Sequence, residues 1–404
     1  MLWYEVKKVF SKTSNKAGLV ILAVMLAVVS YFAVIQVGYV DEDGNTKTGI
    51  AAARNLRDVK NQWAGYITED VLVEVLEQNA AINASDEYQS KDVTENNKAY
   101  AKKQGFSDIR DMINRAFCSF REYDYYRADS VTTEEVKEFY NRRTLNLKEW
   151  LNSEEAKDQY TDLEREFLVE RYEELETPLY YEYADGWGAL LEYGPSISML
   201  LVLVTGFFVS GIFSNEFQLK ADSIFFSAKY GRDKAVAAKI GAGYFIITVL
   251  YWTVMLLYSA IVLGILGTDG AECAIQAGGG WKSFYNITYF ENYLLMMFGG
   301  YIGSLFILTC SMLVSAKTHS TVLSAAIPFI LLFLPSFLSG FSVLSDILGI
   351  LPDQLLQMNM VVKYFNLYQV GKSVVGAVPV VMVLYFVLCV ATVPILYGIY
   401  KKAQ

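Results

Sequence analysis

The chain has 404 residues, of which 53% are hydrophobic and 19% are charged, and its net charge is −9. These averages combine two unlike parts: residues 41–192 carry 34 acidic and 19 basic side chains, a net of −15, whereas all the other residues together carry a net of +6. The acidic surplus argues against nucleic-acid binding, because phosphate contacts need Lys and Arg. Long apolar stretches in the basic part argue against a soluble enzyme.

The first segment, residues 1–17, predicts a short helix that lies in the inner membrane interface. Its apolar residues recur at helical spacing, and its lysines lie off that apolar stripe. Aromatic side chains at the start suit the level of the lipid headgroups. The interfacial residues assigned to this helix are Trp3, Tyr4, Val6 and Phe10. The alternative interpretation is an ordinary basic flank before a membrane helix.

Six stretches without Asp, Glu, Lys or Arg are long enough to cross a bilayer, which takes about 20 apolar residues. They are 18–40, 196–213, 240–266, 293–314, 322–344 and 374–400. The first has a longer apolar core than a signal peptide and no clear cleavage site, so we expect a retained anchor. The predicted fold class is an all-α membrane protein: a transmembrane helix at 18–40, a polar domain at 41–194, and a five-helix transmembrane region at 195–404.

The short loops indicate the orientation, because cytoplasmic loops carry the excess of Lys and Arg. The termini and the loops on their side carry twelve such residues, whereas the short loops on the other side carry only Lys282, Lys363 and Lys372. Six spans place both termini on one side, and this count predicts that it is the cytoplasm. The 41–194 domain is then extracellular.

The extracellular domain is predicted to be mostly helical. Helices are expected over 50–78 and 153–176, and residues 79–97, which are mostly polar, are expected to form a loop. Thr132 with Glu135 three residues later has the pattern of a capping box at a helix start. The arrangement of these helices does not follow from the pattern.

Two features on the outer side leave alternatives open. Cys118 and Cys273 could form a disulfide or remain as two unpaired thiols. The aromatic run that leads back to the membrane, from Tyr180 to Tyr193, suits an interfacial belt or a surface that grips a substrate.

The loop between the second and third spans is the most informative segment. It reads GIFSNEFQLKADSIFFSAKYGRDKAVAAKI over residues 211–240 and mixes aromatic with charged residues at helical spacing. Phe217, Ile224, Phe225 and Phe226 are costly to leave in water unless something covers them. An amphipathic helix held in a groove of a partner protein would cover them. The alternative is a solvated connector whose aromatic residues have no partner.

Five residues in and beside this loop recur in a known pattern: Glu216, Ser227, Gly231, Arg232 and Lys239. They resemble the ABC-2 family of ABC transporter permeases, whose pattern is a Glu, a Gly-Thr step, a Leu-Leu-x-(Ser/Thr) run, a Gly-Arg or Ser-Arg turn and a closing Lys. Residues 221–223, Ala-Asp-Ser, replace the Gly-Thr step. The six spans, the interfacial helix and the final Lys401-Lys402 match the family across the membrane part. The large domain after the first span is similar to a subgroup found mostly in Gram-positive bacteria.

The resemblance implies that residues 214–239 form a coupling helix that docks into a separate ABC ATPase subunit. The coupling residues it implies are Glu216, Phe217, Asp222, Phe225, Phe226, Ser227, Gly231, Arg232 and Lys239. ATP and Mg²⁺ would bind to that partner rather than to this chain. A second permease chain, identical or different, would complete a dimer in the bacterial plasma membrane. Amphipathic peptides, antibiotics or lipids would be exported.

The sequence lacks the motifs of ion-driven transporters and of enzymes, which favours a permease that depends on a separate ATPase. The spans contain no ionisable residue of the kind that ion-driven transporters place in the membrane. The chain has no G-x-x-x-x-G-K-[ST] phosphate loop, no H-E-x-x-H motif and no Cys/His spacing typical of a metal site. We therefore expect no catalytic residues. The alternatives are an ATPase-coupled transmitter of signal or force, and a multi-span receptor, neither of which moves a substrate.

The prolines of the last two spans, Pro328 and Pro335 in one and Pro379 and Pro394 in the other, suggest bends. They indicate either irregular packing or hinges of a pathway, and the sequence favours neither.

Overall fold

The computed structural model describes residues 1–341 and 344–402. Six long apolar helices dominate it: α2 (Thr13–Ile35), α10 (Asp185–Gln218), α12 (Lys234–Leu266), α13 (Tyr289–Thr318), α14 (Thr321–Leu338) and α18 (Ala377–Lys401). The predicted number of helices able to span a membrane is confirmed among the described residues. The bounds differ: α14 ends before Leu344, the predicted span at 322–344 includes 342–343, which lie outside the described residues, and residues 374–376 are extended.

The shorter helices form three groups. α1 (Leu2–Ser11) precedes the first long helix, and α11 (Asp222–Ser227) lies between α10 and α12. The region between α2 and α10 contains α3 (Ile50–Lys60), α4 (Glu69–Asn83), α5 (Asp86–Gln89), α6 (Val93–Lys103), α7 (Ser107–Phe117), α8 (Phe139–Leu151) and α9 (Asp162–Glu173). Three short helices follow α14: α15 (Ser345–Leu348), α16 (Asp353–Leu356) and α17 (Met358–Val361).

Extended structure is limited to three antiparallel pairs among the described residues. β1 (Gly38–Val40) pairs with β2 (Thr46–Thr48), β3 (Gly65–Tyr66) with β4 (Tyr180–Tyr181), and β5 (Leu367–Val370) with β6 (Ser373–Gly376). Short 3₁₀ helices occupy Asn61–Trp63, Arg127–Ser130, Glu135–Glu138 and Ile275–Ala277. The protein is therefore mainly helical, as its sequence predicts.

α10 is the most buried of the six long helices and packs against α2, α12, α13 and α14. Its small residues permit these close approaches: a Cβ added at Gly206 would lie 2.8 Å from Pro328, and one at Gly194 would lie 2.3 Å from Met296. A large apolar core extends along α10 and its neighbours, as expected where helices associate through tight packing.

Two prolines inside the long helices have their freed carbonyls satisfied by side chains. A proline cannot donate to the carbonyl four residues earlier. For Pro195 that carbonyl belongs to Leu191 and accepts from Asn359 Nδ2 at 3.0 Å. For Pro328 the carbonyl of Ser324 accepts from Ser311 Oγ at 2.7 Å. At Pro328 the contacts therefore favour fixed packing over a hinge.

Two apolar clusters join the inserted domain, residues 41–184, to the connection between α12 and α13. They include Leu72, Ile109 and Phe139 in one and Leu168 and Tyr172 in the other. The predicted capping box is confirmed: Thr132 Oγ1 accepts from the Glu135 N–H at 3.2 Å, and Glu135 Oε2 accepts from the Thr132 N–H at 2.9 Å. It opens a 3₁₀ helix rather than a long α-helix.

Three secondary-structure predictions for this domain are wrong. The helix expected over 50–78 is interrupted by a 3₁₀ turn and by Gly65, whose φ of +144° suits only glycine. The loop expected at 79–97 is largely helical, because Ser85 and Asp92 cap new helices. The helix expected from 153 begins only at Asp162, where Thr161 and Glu164 form a capping box.

A buried lysine ties the inserted domain to α10. Lys60 Nζ lies 2.8 Å from Asp108 Oδ2 and 2.7 Å from Asp185 Oδ2. The hydroxyl of Tyr181 donates to Asp108 at 3.0 Å. These contacts join the end of α3, the start of α7 and the first residue of α10.

The structure also bears on the two alternatives left open for the outer side, the pairing of two cysteines and the role of the aromatic run. Cys118 and Cys273 are free thiols, and both are buried. Tyr181, Tyr183 and Trp187 are at most 5% exposed. These three aromatic side chains therefore pack inside the protein and form neither an interfacial belt nor an open surface.

Candidate functional site

Charged side chains from four helices meet at one end of the long helices. We call this group the Glu216 cluster, and it consists of Glu5, Lys8, Glu216, Lys239 and Tyr400. The first two lie on α1, and the others lie near the end of α10, the start of α12 and the end of α18. The termini of the chain and the loop between α10 and α12 therefore share one end of the bundle.

Lys239 is the centre of this cluster and is fully buried. Its Nζ donates to Glu216 Oε1 at 2.8 Å and to the carbonyl of Ile212 at 2.6 Å, and it lies 3.4 Å from Glu5 Oε2. Removing an ammonium group from water is costly unless it is paired and hydrogen-bonded. All three donors of Lys239 have acceptors here, so the buried charge is compensated.

Glu216 holds the other side of the cluster. Its Oε1 also accepts from Lys8 Nζ at 2.5 Å, and its Oε2 accepts from the Tyr400 hydroxyl at 3.4 Å. Burial disfavours the charged form of Lys8, but the hydrogen bond to Glu216 and the negative charges of Glu216 and Glu5 together outweigh it, so the pKa of Lys8 is raised. Two carboxylates and two ammonium groups make the cluster neutral as a whole.

Aromatic residues of the loop pack onto this cluster. Phe226 is 4% exposed, and its ring lies 5.5 Å from that of Tyr400. Phe225 lies 6.1 Å from Tyr400, with Lys239 Nζ 5.3 Å from its centre. Phe217 stacks on His319 at 3.4 Å. Of the aromatic side chains that the sequence suggested for a partner's groove, the chain itself thus buries Phe226 and partly covers Phe217 and Phe225.

The loop has a different shape from the expected coupling helix at 214–239. α10 continues to Gln218, Lys220 takes a positive φ of 54°, α11 is a separate six-residue helix, and α12 begins at Lys234. Gly231 fixes the turn after α11, because a Cβ there would lie 1.9 Å from the carbonyl oxygen of Phe225. No side chain fits at that distance, so glycine is required.

The outward face of the loop carries the remaining predicted residues. Ile224 is 74% exposed and Ser227 is exposed. Asp222 is partly buried at the start of α11. Arg232 is exposed, and its guanidinium lies 5.7 Å from the centre of the Phe226 ring. Leu219, which sequence reasoning did not select, is as exposed as Ile224.

α1 presents one face to the bundle and one away from it. Val6 is buried, and the Phe10 ring lies 6.0 Å from Phe208 of α10. Trp3 and Tyr4 are about 70% exposed, at 69% and 72%, and Trp3 meets Phe245 of α12 edge-on at 6.2 Å. The apolar stripe predicted from the sequence is thus divided between packing and exposed aromatic groups.

The C-terminal end of α18 is tied to the same loop. Lys401 Nζ lies 2.6 Å from Asp233 Oδ1, which also accepts from the Tyr397 hydroxyl at 3.0 Å. The hydrogen bond from Lys401 is the main reason why the pKa of Asp233 is lowered. The pair is exposed, so its contribution to stability is small.

Sequence reasoning missed Glu5, Lys8 and Tyr400 as members of this cluster. Glu5 and Lys8 are three residues apart on a helix and therefore share a face, which is a signal that the sequence contained. Tyr400 lies 184 residues from Glu216 in the chain, and nothing local marks it. Within residues 1–341 and 344–402, no group of three or more His, Cys, Asp or Glu is placed to hold a metal ion.

No family model, curated protein or solved structure matches the chain. The chemical character of the cluster is therefore the basis for function. It contains no nucleophile paired with a base, and its charged groups are engaged with one another. What it can do is mechanical: it joins α1, α10, α12 and α18, and α11 rests on it.

Proposed function

We propose that the chain is the membrane-spanning permease subunit of an ATP-driven transporter of the ABC-2 type, with ATP hydrolysed by a separate ATPase subunit. The observation that carries this proposal is the Glu216 cluster. A helix with an exposed outer face, α11, rests on residues of α10, α12 and α18, and the Glu216 cluster joins these helices to α1. Such an arrangement suits a point where a partner's movement enters the membrane part.

The route of the movement follows the contacts. A displacement of α11 carries Phe225 and Phe226, which contact Tyr400 of α18 and Lys239 of α12. Lys239 is bonded to Glu216 of α10, which is bonded to Lys8 of α1. Because packed interiors transmit strain rather than absorb it, a push on α11 reaches all four helices.

The partner's docking surface is the outward side of this loop. Two exposed apolar side chains, Leu219 and Ile224, lie beside Tyr230, which is 42% exposed. Lys220, Lys229 and Arg232 supply positive charge around them. Apolar anchors with a charged rim are typical of protein interfaces, and an ATPase subunit with a complementary acidic rim suits this surface.

The chain lies in a bacterial plasma membrane with both termini in the cytoplasm, and the inserted domain is extracellular. The excess of Lys and Arg on the side of the termini supports this orientation. α14 and α18 are the least covered of the six long helices, so their outer faces contact lipid or a second permease chain.

The substrate is amphipathic: a peptide, an antibiotic or a lipid. A cavity of about 490 Å³ lies where the inserted domain meets α10, lined by apolar residues such as Val37 and Leu56 and by charged residues such as Asp185 and Glu192. Its volume and its mixed lining suit a small ligand with both apolar and charged parts.

The test is copurification of the full-length chain from its native membrane, with the bound chains identified by mass spectrometry. Leu219→Asp combined with Ile224→Asp changes only exposed side chains of the outward face, and we expect about a tenfold loss of bound ATPase. Lys317→Glu, an exposed change in the last turn of α13 at the same end, is the matched control and should retain the partner.

An ATPase that binds the wild-type chain and the control but not the double variant supports the proposal. A wild-type chain that brings down no ATPase contradicts it. Where the ATPase is bound, ATP-dependent movement of an amphipathic dye in vesicles distinguishes a transporter from a transmitter that moves no substrate.

A further inference from the structure

A buried arginine in the inserted domain has no carboxylate partner among the described residues. Arg143 of α8 is 3% exposed, and its Nη1 has no hydrogen-bond acceptor. No ion pair or hydrogen bond of its guanidinium is formed with any residue that the structure describes. The guanidinium lies against two rings: its carbon is 5.5 Å from the centre of Trp281 and 6.0 Å from that of Tyr172.

Such a group is unusual, because buried charges are normally paired. Contacts with aromatic faces stabilise a guanidinium, but they offer no acceptor for its N–H groups. Burial lowers the pKa of Arg143, and no carboxylate opposes this effect. The arrangement is therefore incomplete without an acceptor that the described chain does not supply.

Arg143 borders a cavity of about 60 Å³ that is rich in positive charge. Lys282 lines the same cavity and also forms no ion pair with a described residue. Burial and the nearby Arg121 and Arg115 lower the pKa of Lys282. Arg115 and Arg121 have partners of their own, Asp111 at 2.7 Å and Glu155 at 3.4 Å.

The cavity also has one carboxylate in its lining, Glu122, which is exposed and forms no ion pair with any described residue. Two cations without partners therefore face one exposed acid. Of these two cations, Arg143 belongs to residues 41–192, whose net charge is −15, and Lys282 lies on the connection that packs against them. Composition does not explain this excess of positive charge, whereas a bound anion does.

We propose that the cavity between Arg143 and Lys282 binds a phosphate group, either as free phosphate or as part of a lipid headgroup. A guanidinium offers N–H donors in the planar arrangement that suits phosphate oxygens, and an ammonium adds a point charge. A single water needs about 10–15 Å³ of such space, so the cavity accommodates a group of a few atoms and no long chain.

The position of the cavity is consistent with both sources of phosphate. Trp281 and Lys282 belong to the connection between α12 and α13, so the cavity lies where the inserted domain meets the ends of the long helices. The hydroxyl of Tyr172 donates to the carbonyl of Lys282 at 2.6 Å and holds this connection against α9. Phosphate binding is independent of whether the protein transports anything.

The test is thermal unfolding of the full-length protein in detergent with increasing inorganic phosphate. A ligand that binds only the folded state raises the Tm in proportion to the logarithm of its concentration above Kd. We expect this rise for the wild type and its loss in Arg143→Met. Lys282→Gln should need about tenfold more phosphate for the same rise.

Arg171→Gln is the matched control, because Arg171 lies on the neighbouring α9 and forms an exposed pair with Glu174. General salt effects on stability act equally on all these proteins, so only differences between them count. Lys282 is only partly buried and leaves no partner unpaired, so its variant keeps the test decisive if Arg143→Met does not fold.

A second arm compares the protein in micelles of a maltoside detergent, which contains no phosphate, with and without added phosphatidylglycerol. If inorganic phosphate has no effect but phosphatidylglycerol raises the Tm of the wild type and not that of Arg143→Met or Lys282→Gln, the phosphate belongs to a lipid. If neither probe separates the wild type from these two variants, the cavity binds no phosphate and the proposal is overturned.

Discussion

The Glu216–Lys239 pair should show strong energetic coupling, and a double-mutant cycle measures it. In Glu216→Gln, the buried Lys239 loses its nearest counter-charge and retains the carbonyl of Ile212 and the more distant Glu5. Removing one partner of a buried pair costs about 3–5 kcal/mol. Because a glutamine oxygen still accepts a hydrogen bond and Glu5 remains, we expect about 3 kcal/mol.

Lys239→Met should cost less, about 2 kcal/mol, because Glu216 keeps its contact with Lys8 and methionine fills the space of the lysine stem. Combining the two changes removes both buried charges. The side chain of Lys8 is 32% exposed and can reach water. The double variant should therefore be about 2 kcal/mol more stable than the sum of the single effects predicts.

The assay is reversible unfolding of the purified protein in mixed micelles by increasing SDS, followed by tryptophan fluorescence. Asp233→Asn is the matched control, because its partner Lys401 is exposed and such pairs contribute about 0–1 kcal/mol. Effects of Glu216→Gln that do not exceed those of this control, or single effects that simply add, would refute the reasoning.

Three further predictions concern other sites. Gly231→Ala should lower the free energy of unfolding by about 1–3 kcal/mol, because the added Cβ clashes with the carbonyl of Phe225. Gly398→Ala, whose Cβ meets nothing within 4 Å, should not lower it. The same unfolding assay measures both variants. Burial raises the pKa of Asp353 from 3.8 to about 6, so the folded protein keeps this proton to higher pH. The stability of the wild type relative to Asp353→Asn should therefore fall by about 2 kcal/mol between pH 4 and pH 7. An unchanged difference between these pH values would contradict this. Lys60→Met leaves Asp108 and Asp185 without their shared cation and should lower the free energy of unfolding by about 3–5 kcal/mol. The protease sensitivity of the inserted domain should rise as a result. A domain that stays resistant would contradict a structural role for these ion pairs.

The membrane helices were predictable because the bilayer sets a length and a composition that the sequence must meet. Ends of these helices were less predictable: α10 begins at Asp185, well before its apolar part, and this first residue pairs with Lys60, which is far away in the sequence. In the inserted domain, single residues decided the outcome. Gly65 interrupts one expected helix, and Thr161 delays another.

The candidate site was predictable in its location but not in its construction. The aromatic residues of the loop are wholly or partly covered, as the cost of exposing them predicts, whereas Ile224 stays exposed. The cover of Phe225 and Phe226 comes from Tyr400, which is far away in the sequence. Contacts of that kind depend on how α18 packs, and no local pattern encodes them.

The length of α10 couples movements at its two charged ends. Its 34 residues make a rod about 51 Å long at about 1.5 Å per residue, so a tilt of about 5° moves one end about 4 Å against the other. Lys60 forms an ion pair with the first residue of α10, and Lys239 forms one with Glu216 near its end. Asn359 donates a hydrogen bond to the carbonyl that Pro195 leaves without a partner. Because both ends of α10 are held in this way, we expect a tilt of α10 to move the inserted domain and α1 together with it.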